Sequence, residues 1–158
     1  MTGRIWPGFV GPFLLLSASL FPLAANSETL PSDPGEARQR GVLAETFVNE
    51  RLAIWQQRLN LADWKINIIM SHPTDLKPKT LGNIHWDADK KSAVIRVLDC
   101  SDYHMGFRDM LEDMEFTVVH ELIHLELSSL PRSEASRRDE EHAVNQIADA
   151  LLKLDRRK

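Results

Sequence analysis

The chain has 158 residues, of which 43% are hydrophobic and 27% charged; this suits one globular domain and excludes a disordered chain. Its net charge of −4 comes from interspersed acids and bases with no basic face, which argues against nucleic acid as a partner. The single cysteine, Cys100, excludes an internal disulfide and a cysteine-rich zinc site, so a transition-metal site here must be built from His and carboxylates.

Arg4 is the only charged side chain before Glu28, and Phe13 to Leu23 is dominated by Phe, Leu, Ala and Ser. A basic start, an apolar middle and a small-residue exit predict that residues 1–27 are a signal peptide cleaved after Ala25 or Ser27, with the protein exported to the periplasm or secreted. The alternative is an N-terminal membrane anchor, because Ile5 to Ala25 is 21 uncharged residues, although Pro12 and Pro22 oppose a clean spanning helix. A mis-assigned start would instead leave a cytoplasmic protein. Residues 28–35 read as a linker that ends in Asp33-Pro34-Gly35-Glu36, a helix-start signal.

From residue 36 the domain runs to 158. Ala44, Val48, Leu52, Trp55 and Leu59 recur at helical spacing and predict a helix to about Asn60. Trp64, Ile66, Ile68 and Met70 alternate as a half-buried strand does. Residues 81–87 and 92–98 predict a hairpin around the polar turn Asp87 to Lys91. A helix then begins between Asp102 and Arg108 and ends before Pro131. A last helix runs from about Ser133 to Leu154, with Val144, Ile147, Ala148, Leu151 and Leu154 as its apolar stripe.

The penultimate helix carries His120-Glu121-Leu122-Ile123-His124, an H-E-x-x-H motif. Histidines four apart on a helix point the same way and can share one tetrahedral Zn²⁺, while the intervening Glu121 projects towards a water rather than the metal. Val118, Val119, Leu122, Ile123 and Leu125 surround the pair, and two histidines on so apolar a helix are costly unless hydrogen-bonded or metal-bound. A catalytic zinc needs a third protein ligand. A further His six residues on is excluded, because that position is Leu130. The last helix must fold back through the Pro131 turn, which brings Glu140 and Glu141 forward. Helical phase slightly favours Glu140. Glu141 has Asn145 one turn further along, an oxygen suited to receive the ring N–H of a metal-bound histidine, whereas Glu140 has only Val144 there. This argument selects Glu141 as ligand, with Asn145 as its support.

The order of elements, the H-E-L-I-H helix and the Glu141-x-x-x-Asn145 pattern together resemble the minimal gluzincin metallopeptidases. These include small phage- and plasmid-associated HExxH proteins and, more distantly, the ImmA/IrrE-type peptidases. The resemblance covers roughly residues 40–155. It implies an α+β, compact zincin-like domain: an N-terminal helix, a small three-stranded sheet, the active-site helix and a C-terminal ligand helix. It also implies one Zn²⁺ per chain on His120, His124 and Glu141, with Glu121 as general base in the hydrolysis of a peptide or protein substrate. By the same geometry, residues 92–98 would be the sheet edge that receives substrate. The short interval from His124 to Glu141 fits only a compact member, and an export signal departs from the many cytoplasmic relatives. For the donor that steadies the developing oxyanion the candidates are Tyr103, His104, His85 and His142, none favoured by spacing. The alternative function is a zinc-binding regulatory or scaffold protein without general protease activity. A membrane is a partner only if the N-terminal segment is an uncleaved anchor.

Overall fold

The computed structural model describes residues 33–131 and 133–157, with the backbone alone for 134–137. The expected signal or anchor segment, 1–27, lies outside the described residues, as does most of the linker. Among the described residues no helix is long and apolar enough to cross a membrane.

The fold is α+β, three helices around a small mixed sheet. In chain order the elements are α1 (Pro34–Arg58), β1 (Lys65–Ser71), β2 (Gly82–Asp87), β3 (Ser92–Leu98), α2 (Phe107–Glu126) and α3 (Glu134–Asp155). Helix α1 starts where Asp33 accepts a hydrogen bond from the Gly35 amide at 3.2 Å, with Pro34 supplying a ready helical φ. It buries Ala44, Val48, Leu52 and Trp55, one face at steps of four and three. Just beyond its end Asn60 takes φ 57, a left-handed conformation that Asn tolerates better than most side chains, and the chain turns into β1.

The strand order is β1-β3-β2. β3 runs parallel to β1, with Ile66 opposite Ala93 and Ile68 opposite Ile95, and antiparallel to β2, with Ile84 opposite Ile95. Ala93, Ile95 and Val97 are therefore interior on the helical side and interior in the sheet. This overturns the expectation that residues 92–98 form the receiving edge. A hairpin reading pairs β2 with β3 but says nothing of where the earlier strand docks. β1 adds to the far side of β3 and leaves β2 as an edge.

Helix α2 is the hub, packed by α1, α3, β2 and β3. Its second half is buried almost all round, from Thr117 to Val119 and from Glu121 to Leu125. Two of its acids face opposite ends of the problem that such burial creates. Glu115, 6% exposed, accepts hydrogen bonds from Trp55 Nε1 at 2.8 Å and Arg51 Nε at 2.5 Å. Arg51 also donates to Asp155 Oδ2 at 2.8 Å, and Arg58 lies 2.9 Å from Asp155 Oδ1. One ion-pair network thus ties α1, α2 and α3 together.

Helix α3 departs from its predicted stripe. Val144, Ala148 and Leu152 are buried, whereas Ile147 and Leu154 are 43% and 59% exposed. α3 packs chiefly on α2, so only a narrow stripe at steps of four is covered.

Candidate metal centre

Helical spacing does for His120 and His124 what the motif requires. Their rings meet edge to face, 4.7 Å between centroids, with the two Nε2 atoms 3.0 Å apart. The turn after α2 reverses the chain, and α3 brings Glu141 over the pair. Its Oε2 lies 3.4 Å from His120 Nε2 and its Oε1 lies 3.4 Å from His124 Nε2. Ligand atoms on a tetrahedral zinc with bonds of about 2.0–2.1 Å stand about 3.3–3.4 Å from one another. Both Glu141–histidine distances match that spacing, and the 3.0 Å between the Nε2 atoms falls a few tenths of an ångström short of it.

Each histidine is oriented from behind. His120 Nδ1 faces Asn145 Oδ1 at 3.1 Å, and His124 Nδ1 faces Glu140 Oε1 at 2.9 Å. Both partners are acceptors, so each ring places its proton on Nδ1 and leaves Nε2 as a lone pair. Burial, reinforced by the neighbouring His124, holds the His120 pKa below the ordinary histidine value and keeps the ring neutral. Two imidazole lone pairs and a carboxylate therefore converge on one point. Nothing in that donor set repels a divalent cation, and its mutual repulsion is relieved by one.

Glu140 corrects part of the sequence reading. Set aside there as ligand and given no role, it has a side chain only 15% exposed and holds His124. The two neighbours divide the work: Glu141, 53% exposed, reaches the Nε2 atoms from the open side, while Glu140 supports His124 from below. Helix phase placed both near the core, but only the position of α3 against α2 tells which reaches which nitrogen.

Glu121 projects beside the pair and is 7% exposed. Burial first, and then the charge of Glu141, pushes its pKa up to about 7. The start of β2 passes close over it. A Cβ on Gly82 would lie 2.4 Å from Thr117 Cγ2, 2.8 Å from the Arg96 carbonyl oxygen and 3.5 Å from Glu121 Oε1. Glycine is needed here for close approach of strand to helix. The sequence signal was available in a glycine opening a strand, but its meaning depends on the strand's neighbour. β2 and α2 thereby wall a cleft of about 910 Å³ that takes in His120, Glu121, His124, Glu140, Glu141 and Asn145.

Of the four candidate oxyanion donors, only His85 lines this cleft. Tyr103 is buried and donates its hydroxyl to Asp113 Oδ2 at 3.0 Å. Lys77, which sequence reasoning passed over, lines the cleft and its charge acts on Glu121. Away from the cleft, His72, Asp99 and Asp102 also come together at the ends of β1 and β3. There His72 Nδ1 pairs with Asp102 at 2.7 Å and Asp99 caps the Ser101 amide at 2.9 Å, so the group is an internally satisfied corner.

No family model, curated protein or solved structure matches this chain.

Proposed function

We propose that the protein is a zincin-like, zinc-dependent peptidase, with His120, His124 and Glu141 as metal ligands and Glu121 as general base. The observation that carries this reading is the convergence of both Nε2 atoms and the Glu141 carboxylate at 3.0–3.4 Å, with the opposite ring nitrogens each held by an acceptor. Zn²⁺ held there would supply Lewis acidity that makes a bound water acidic near neutral pH.

The chain's own residues would do the rest. Glu121, buried beside the histidines, takes a proton from the attacking water and returns it to the leaving amine. Its enclosure under β2 keeps bulk water from competing for that proton. A substrate strand adds to the outer edge of β2, which pairs with no other strand among the described residues and lines the cleft. Backbone pairing would then lay the substrate's carbonyls along α2 past Glu121. His85 and Lys77, which line the cleft, are the candidates to donate to the oxyanion.

The test is Glu121→Gln in zinc-loaded protein. The variant should retain its zinc, since Glu121 is not a ligand, and lose peptide cleavage by about 100-fold or more. Equal cleavage by both proteins would remove Glu121 from the reaction. Zinc binding with no cleavage of any peptide by the wild type would favour the scaffold or regulatory reading instead.

A further inference from the structure

The mechanism leaves one cleft carboxylate without work. Asp113 sits on α2 seven residues before His120, which on a helix is two turns away on the same face, about 10 Å along the axis. It lines the cleft and is half-buried. Its hydrogen-bond partner among the described residues is the Tyr103 hydroxyl at 3.0 Å, which uses one oxygen and supplies no charge. Burial raises its pKa and no basic side chain opposes that rise. Two lysines line the cleft, Lys77 and Lys79; Lys77 bears on Glu121, and neither is among the charges that act on Asp113. A half-buried carboxylate that lines a groove and has a neutral hydroxyl as its hydrogen-bond donor is configured to receive a cation from outside.

We propose that Asp113 is a specificity residue that selects a lysine or arginine side chain of the peptide substrate. This rests on the peptidase reading above. The distance sets where the cation should lie. An extended chain advances about 3.3 Å per residue, so about 10 Å corresponds to a residue about three positions from the scissile bond. Tyr103 fixes the rotamer of Asp113, and the long stem of Lys or Arg would lie along the apolar wall of the cleft that Phe116 provides.

The experiment uses zinc-loaded full-length protein and ten-residue fluorogenic alanine–leucine peptides. A single lysine, or its uncharged counterpart norleucine, is walked along each peptide. The comparison is wild type against Asp113→Asn, which keeps an oxygen for Tyr103 while removing the charge. Wild type should prefer lysine over norleucine at one register by on the order of tenfold in kcat/KM, and Asp113→Asn should bring the ratio close to one. Binding of the same peptides to zinc-loaded Glu121→Gln, with and without Asp113→Asn, gives a readout that needs no turnover. Cleavage without a lysine preference, or with one that survives Asp113→Asn, would overturn the specificity role and leave the peptidase reading standing. Asp113-dependent binding of lysine peptides without any cleavage would do the reverse. Neither binding nor cleavage of any peptide would overturn both.

Discussion

The two ends of the buried part of α2 meet the same difficulty in opposite ways. At Glu115 an interior carboxylate is surrounded by donors: Trp55 Nε1, the Arg51 guanidinium and, through it, Asp155 and Arg58. One and a half turns later, at His120 to His124, interior polar groups are met by acceptors, and their Nε2 atoms face one another and the Glu141 carboxylate. The first arrangement is complete within the chain and holds three helices together. The second, in the function proposed above, is completed by a cation. Burial alone does not separate a structural polar cluster from a functional one; the sign of what faces it does.

Breaking the complete end should cost the most stability. Glu115→Ala leaves Arg51 and the Trp55 N–H without their interior acceptor, and should destabilise the fold by about 2–4 kcal/mol, moderated because Arg51 keeps a solvent-facing side and its Asp155 contact. Urea unfolding measures this, and a loss below about 0.5 kcal/mol would show that the network is ornamental. The folded fraction should still take up zinc.

At the open end the effects fall on metal affinity, read by chelator competition. Glu141→Ala removes a proposed ligand and should weaken zinc by more than about 100-fold, exceeding the effect of losing a support. Glu140→Ala and Asn145→Ala should each weaken it by about 10–100-fold, because each frees one imidazole to turn. A Glu140→Ala variant with wild-type affinity would show that its contact with His124 does not support the ring. An effect of Glu140→Ala larger than that of Glu141→Ala would exchange ligand and support.

Asp113 sharpens the comparison with the smallest effect. It is a cleft acid without the donors that Glu115 has. Burial raises its pKa in the folded protein above the ordinary aspartate value. Its contribution to stability is therefore full below about pH 4 and is lost as pH rises through the folded pKa. Asp113→Asn should raise the melting temperature at pH 7 and leave it nearly unchanged at pH 3. A shift of the same size at both pH values would mean that packing, not charge, governs the residue.

Much of this fold was legible from periodicity. The faces of α1 and β1, the β2–β3 hairpin and both ends of α2 follow from apolar spacing and turn residues, because each depends on neighbours a few positions away. Strand order was not, since the hairpin is compatible with β1 on either side. The site divided in the same way. His120, Glu121 and His124 lie on one helix and announce themselves by spacing, and Asn145 follows from what a neighbouring imidazole needs. Glu140 against Glu141 turns on how α3 lies over α2, to within a fraction of a helical turn. Asp113 carried no local signal. Its openness is a property of a groove made by β2 and α2 together, and Tyr103, considered for the chemistry, proves to be its anchor.

Zinc stoichiometry tests the central claim most directly. Purified protein, reconstituted with zinc and dialysed against metal-free buffer, should hold about one Zn²⁺ per chain by elemental analysis, and His120→Ala should hold almost none while keeping its helical circular dichroism. A folded wild-type protein that retains no zinc, or a His120→Ala protein that retains as much as wild type, would contradict the account.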